Sequence, residues 1–429
     1  MITSTMRRSI AAAVAAGLAL TMSACGAGAG GAADGKTTIT VIAPWAAEQF
    51  APYFQSLADQ YEKQHPNVTV DLTLYADQAY KDKVQVAFTT NKLPDVYFAW
   101  PGQYAKKFVD AGAAVDLTAD LAKDGWRDSL LPAAMDAYTW DNKTYAVPVD
   151  VIAKFFAYNT KIFADNHVSV PTTVGSLIQA CKTFRHAGIT PIAFGNQDGW
   201  PALHYLTYLN AAAVPADVLA ADYSGANPKF TDPGYVKALQ TLKDISDACF
   251  LNGVNGVQNT AARGTFTNGQ AAIVFAETGQ FQEFTAKNGA PAELVDNWSW
   301  FNFPALDGGA GVQTNVVGAP DGLLINPKTE HKDVAIDFLK FFTSAEQSAR
   351  MVKEIGWISS VKGAVAAGDA FPQTVEATQA IAHSTGFNVW LDTATKAQVA
   401  DAFLVGGEAL LDGSKTPKQV IADVAVAAK

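Results

Sequence analysis

Cysteine is nearly absent from this chain. Three residues in 429 carry a thiol, Cys25, Cys181 and Cys249, which excludes a disulfide-dense scaffold and a cysteine-rich zinc fold. Histidine is scarce too: the six, at 65, 167, 186, 204, 331 and 383, show no metal-ligand spacing, so neither a metal site nor another cofactor is expected. Charged residues make up 17% of the chain against 49% hydrophobic ones, the balance of a globular protein with generous cores rather than a disordered one. Basic charge is the scarcer sign. With 31 Lys and Arg against 41 Asp and Glu the formal net charge is −10, which argues against nucleic acid and against an anionic membrane face as partners.

What is present begins at the N-terminus. Arg7 and Arg8 precede an apolar run from Ile10 to Met22, and Ser23-Ala24-Cys25 leads into the small-residue stretch Gly26 to Gly35. A basic start, a short apolar run and small residues before a cut site read as a secretory signal over residues 1–24, too short for a spanning helix. Cys25, directly after Ser-Ala, resembles the cysteine of a bacterial lipobox, which is acylated and becomes the first mature residue; an ordinary signal with a chance Cys is the alternative. Residues 25–36 otherwise lack apolar bulk and are expected to form a flexible tether. The protein would then sit outside the cytoplasm, held by lipid to the outer face of the cell membrane.

The rest of the chain is longer than one hydrophobic core normally accommodates, so two domains are expected. Alternation of polar and apolar residues predicts strands over 37–43, 68–74 and 95–100, separated by helical spacing over 48–65 and 80–91. The pattern restarts after Tyr145–Asp150, with strands at 155–159, 191–194, 271–275 and 322–325 and helices at 174–187, 202–212, 235–250 and 332–344. Strand and helix in alternation imply a parallel sheet with helices on both faces and an architecture of two α/β lobes. Cys181 and Cys249 fall in two of these helices. Such widely spaced cysteines read as two buried free thiols, although an oxidising compartment permits a bridge.

Open α/β sheets bind ligands beyond the carboxyl ends of their strands. Four strand ends carry the same combination: Pro44-Trp45-Ala46-Ala47-Glu48, Trp100-Pro101-Gly102-Gln103, Gly195-Asn196-Gln197-Asp198-Gly199-Trp200 and Ala276-Glu277-Thr278. An aromatic ring beside carboxylate or amide groups suits a sugar, whose C–H faces pack on rings while its hydroxyls require paired donors and acceptors. Each residue also has a plainer use. A Trp there can pack the core, Asp198 can cap the following helix, and Glu48 and Glu277 can be solvated charges.

Several stretches together carry a resemblance: Leu93-Pro94-Asp95-Val96-Tyr97, Gly112–Leu117, Tyr145–Pro148, Tyr158–Phe163, Gly188–Ala193, Phe266–Ala272, Ala335–Ser344 and Gly413–Pro417. In order and spacing they resemble the family 1 extracellular solute-binding proteins of bacterial ABC importers, across essentially the whole mature chain. The resemblance implies an α/β, two-lobe periplasmic-binding-protein-like fold of the class II type, hinged around a ligand cleft. It implies lobes of residues 37–151 plus 321–354 and of residues 152–320 plus 355–429. Carried over position by position, the cleft falls on Trp45, Glu48, Gln78, Trp100 and Gln103 on one side, and on Asn196, Asp198, Trp200, Glu277 and Thr278 on the other. Asp150, Asp321 and Trp357 lie where the chain crosses between lobes, with hinges near 150–154, near 317–320 and after Met351. Relatives often carry a Trp soon after the 271 strand; Gln280 and Phe281 stand there instead, which weighs against a wide stacked platform on that side.

The function so implied is capture of a mono- or oligosaccharide by lobe closure and delivery to the transmembrane subunits of an ABC permease, by a monomer without catalytic activity. An extracellular glycoside hydrolase is the alternative, since carboxylates and rings near a sugar fit that too, but it needs a dedicated carboxylate pair. A receptor for a polyol or peptide is a further alternative.

Overall fold

The computed structural model describes residues 36–429, so the signal, Cys25 and nearly all of the tether lie outside the described residues. Thr37–Lys429 pack as one compact unit. Its principal strands are β1 (Thr37–Ala43), β2 (Val68–Leu74), β3 (Val96–Ala99), β4 (Val147–Asn159), β5 (Thr190–Ala193), β6 (Ala271–Glu277), β7 (Trp298–Phe301) and β8 (Val316–Ile325). One sheet holds them in the order β2-β1-β3-β8-β4-β6-β5, with β7 also paired to β4. The fold is therefore mixed α/β, one sheet with helices packed around it.

The expectation of a wholly parallel sheet needs correction. β1 is parallel to β2 and β3, and β5 to β6, but β8 runs antiparallel to both β3 and β4, and β4 antiparallel to β6. The reason is that β4 and β8 are shared by the two halves of the sheet and cross from one to the other in opposite directions. Along β4, Val147 and Val149 pack with one hydrophobic cluster and Phe156 with another. Along β8, Leu323 and Leu324 join the first, Val317 and Ala319 the second. Where the sequence suggests a strand over 155–159 alone, β4 is one strand of 13 residues that begins at Val147. Pro148 is accommodated at a register shift between Asp321 and Gly322 on its partner, where a missing N–H does not interrupt a regular ladder.

The first cluster is built on β1, β2 and β3 with the helices Ala51–Gln64 and Lys332–Phe342, and includes Ile39, Phe54, Phe98 and Leu339. Alternation of inward residues in β1 and 3.6-residue spacing in those helices supply its apolar faces. The second is centred on Phe156, Leu206, Leu242 and Ile273, and a further cluster containing Phe155, Phe281 and Trp298 covers the opposite face of its half-sheet. After the helix Ala345–Ile355 the chain pairs briefly with β4 at Ile358 and Ser359, and Trp357, Val361 and Ala364 pack with the first cluster before Ala377 joins the second half.

Cys181 and Cys249 form a disulfide, with their Cα atoms 5.1 Å apart, which overturns the free-thiol reading. The helices Val174–His186 and Pro233–Cys249 pack side by side in the second cluster and bring the two sulfurs together; a separation of 68 residues carries no trace of that adjacency. Among the described residues no helix is long and apolar enough to cross a membrane.

Candidate functional site

Where the two halves meet, polar side chains are buried among rings. Asp150 on β4 and Asp321 on β8 are register partners at the crossing. The backbone N–H of Asp321 donates to Asp150 Oδ1 at 3.2 Å, while Asp150 Oδ2 and Asp321 Oδ1 have no partner. Burial pushes both carboxyls well above the usual range; the charge of Asp150 adds to the rise at Asp321. An orphaned buried acceptor is costly, and two side by side mark a place where another molecule's donors would be stabilising.

Four residues further along β4, Lys154 is buried beside Glu277, with Nζ 3.6 Å from Oε1 and 5.0 Å from the centre of the Trp200 ring. Burial lowers the Lys154 ammonium to about 8, against the pull of Glu277. The pairing is set by the sheet, because Lys154 and Glu277 are opposed on β4 and β6. Trp200 opens the helix Trp200–Ala213, whose next turn presents His204. The His204 ring stacks on Trp390 at 4.3 Å and lies 4.8 Å from Trp200, its Nδ1 unpartnered. Burial, then the charges of Lys154 and Lys81, keep this imidazole well below its ordinary pKa and hence neutral.

From the first half, the helix Asp77–Thr89 contributes Asp77 and Lys81. Lys81 Nζ reaches Asp392 Oδ2 in the second half at 3.2 Å and lies 5.0 Å from the Trp100 ring centre. Asp77 is exposed at its surface but has protein around it on its other sides. That environment and the Glu277 charge push its carboxyl up to about 6. Trp100 is half-buried against Phe98 and Tyr104, and Gln103 Nε2 donates across the crevice to the Ser224 carbonyl at 3.1 Å.

The sequence-predicted residues therefore divide. Asp150, Asp321, Trp100, Gln103, Trp200, Glu277 and Thr278 gather at the junction, Thr278 Oγ1 accepting from the Ala153 N–H at 3.4 Å. Trp45 and Trp357 are there too, but as packed residues. Trp45 is 4% exposed and stacks on Phe54 at 4.2 Å, Trp357 is 7% exposed, and both indole N–H groups lack partners. Asn196 is fully buried with both ends of its amide engaged, donating to Asn255 and accepting from the Ala202 N–H. Gln78 is exposed and donates to Asp82 one turn along its own helix, and Glu48 is an exposed turn residue. Asp198 is exposed and does not cap the following helix, whose N-cap is Gly199.

Asp77, Lys81, Lys154, His204, Trp390 and Asp392 are absent from the sequence-based set. Lys154 and Asp392 had one legible signal each, since a Lys in an otherwise apolar strand and an Asp following Trp390 both repeat the pairing of charge with aromatic.

A model of the family described as bacterial extracellular solute-binding protein matches residues 47–349, well over half of the 429-residue chain. An uncharacterised ABC transporter extracellular-binding protein of Pyrococcus horikoshii is 22% identical over 333 residues, 76% of this chain and 73% of the other. A solved structure from work on xylan utilization by Caldanaerobius polysaccharolyticus is 26% identical, covers 90% of this chain and 99% of its own, and superposes with a TM-score of 0.82. A chitin oligosaccharide binding protein shares the fold at a TM-score of 0.83 and 22% identity, over 92% of this chain and 98% of that one. The family model covers well over half of the chain and the solved structures share its fold: the chain belongs to the bacterial extracellular solute-binding proteins.

Proposed function

We propose that the two hydrophobic clusters are the cores of two hinged lobes and that the crevice between them captures a sugar outside the cytoplasm. Closure would be absorbed where β4 and β8 cross, and the loaded protein would deliver its sugar to an ABC permease. Cys25 would carry the lipid that holds the receptor, as a monomer, to the outer face of the membrane. Binding of a ligand that touches both lobes shifts the population toward the closed form, as in other hinged binding proteins.

One observation carries the reading: buried polar atoms from both halves lack partners, Asp150 Oδ2 and Asp321 Oδ1 where β4 and β8 cross, Trp45 Nε1 and Trp357 Nε1 beside each other's rings, and His204 Nδ1 between the Trp200 and Trp390 rings. Sugar hydroxyls donate and accept and would satisfy such atoms, while ring C–H faces would pack on the Trp100 and Trp200 indoles. Fold relatives described as binding chitin oligosaccharide and maltose lend support. Micromolar affinity requires about 8 kcal/mol, within reach of a few buried rings and satisfied hydroxyls.

The hydrolytic alternative is less well supported. Glu277 is engaged by Lys154 and Gln280, and Asp150 and Asp321 are adjacent and joined by a hydrogen bond rather than set apart across a space for a glycosidic bond. Titration calorimetry of the full chain against mono- and oligosaccharides, with product analysis of the same mixtures, tests the proposal. Saturable binding without cleavage is expected. Cleavage, or binding to no sugar, would overturn it.

A further inference from the structure

The carboxylates of the crevice outnumber its cations. Asp77, Asp150, Asp198, Glu277, Asp321 and Asp392 act on one another electrostatically there, and the cations that act on the same groups are Lys81 and Lys154; Arg263, which acts on Lys154, is itself paired with Glu283 through both carboxylate oxygens. Neither lysine is free to balance the surplus. Lys154 is held by Glu277 and enclosed by the Trp200 and Phe275 rings, and Lys81 is committed to Asp392 Oδ2. The acidic side-chain atoms left without partners are Asp150 Oδ2, Asp321 Oδ1 and Asp392 Oδ1, and the first two residues are no more than 4% exposed.

We infer that this crevice selects a ligand bringing positive charge, an amino sugar with a free ammonium group, over its neutral counterpart and strongly over a sugar acid. The inference rests on the sugar-receptor reading and sharpens it. A hydroxyl donates one hydrogen bond and leaves the surplus charge where it was; an ammonium donates three and offsets the charge as well. The rings support the same choice. Lys81 Nζ lies 5.0 Å from the Trp100 ring and Lys154 Nζ 5.0 Å from the Trp200 ring, so ammonium groups paired with these carboxylates already rest against aromatic faces, which attract cations. Burial, then the neighbouring carboxylates, raise Asp77, Asp150 and Asp321 together, so that without such a ligand these groups tend to hold protons instead. A carboxylate on the ligand would meet like charge at short range in a low-dielectric site.

The test uses sugars matched in ring stereochemistry: glucose, glucosamine and glucuronic acid, then the galactose series and the corresponding disaccharides, titrated into the full chain by calorimetry. The amine is expected to bind at least about tenfold tighter than the neutral sugar of its series. The sugar acid is expected to bind more weakly than either, and the amine preference to shrink between low salt and about 0.5 M NaCl. Asp77→Asn, at the solvent-touching wall of the crevice, should reduce the ratio of amine to neutral affinity. A neutral sugar equal to or tighter than its amine, or a preferred sugar acid, overturns the inference and leaves the sugar-receptor reading standing. Binding of no sugar in any charge state overturns both.

Discussion

Gly279, in the turn that follows β6, lies directly against the indole of Trp357: a β-carbon built at 279 would stand 2.8 Å from Trp357 Nε1. Trp357 packs with the first hydrophobic cluster and Gly279 sits at the end of a strand of the second half, so this contact measures how closely the halves approach. Gly279→Ala is expected to act as a wedge. Overpacking against a rigid ring costs about 1–3 kcal/mol, and if the cost falls on the closed form alone, sugar affinity should drop by about five- to 150-fold. Calorimetry supplies the affinity and small-angle scattering the radius; unchanged affinity would show that the halves do not need this approach to bind.

The tryptophans should separate into two kinds. Trp45 is 4% exposed and stacked on Phe54, so Trp45→Ala is expected to cost about 3–5 kcal/mol of stability whatever it does to binding. Trp200 is half-buried beside Lys154, and Trp200→Ala should weaken binding with a much smaller loss of stability. Denaturant titrations and calorimetry on both variants give the comparison, and equal stability losses would contradict the distinction.

Stability of the ligand-free protein should respond to pH with an unusual sign. Asp77 is raised to about 6 and Asp150 to about 8, with Asp321 raised alongside. The folded protein therefore binds protons that the unfolded chain has already released above its ordinary carboxyl pKa. Stability from these groups is complete below about pH 4 and is lost as pH rises through the folded values. His204, held neutral, opposes this below about pH 6.5, and Lys154, lowered to about 8, opposes it near pH 8 and above. Melting temperature is thus expected to rise as pH falls from about 7.5 to about 6.5, and Asp150→Asn should flatten that slope. A slope equally steep in the variant would count against the buried pair as its source.

The disulfide ties two helices within one half of the molecule. Replacing both Cys181 and Cys249 with Ala should therefore lower stability by about 2–4 kcal/mol, because closing a loop of this length restricts the unfolded chain. Sugar affinity should change less than about twofold. A large change in affinity would mean that the second half transmits strain to the site.

The sequence by itself determined the elements, because their signals are local. The alternation of residues 37–43 and 68–74 matches β1 and β2 to the residue, and the helix expected over 174–187 is Val174–His186. Family membership and the acidic, aromatic character of the strand ends were legible for the same reason: both are written in short runs of adjacent residues. Only the tertiary structure decided what depends on partners distant in the chain. β4 is a single strand because β8, more than 150 residues away, pairs along it. Cys181 meets Cys249 across 68 residues, and Lys81 meets Asp392 across 311. Trp45 reads as a surface platform from its neighbours, and becomes a packed residue only when Phe54, Phe342 and Trp357 close around it. Burial and charge at a site are sums over everything nearby in space, and a linear chain records only what is nearby along it.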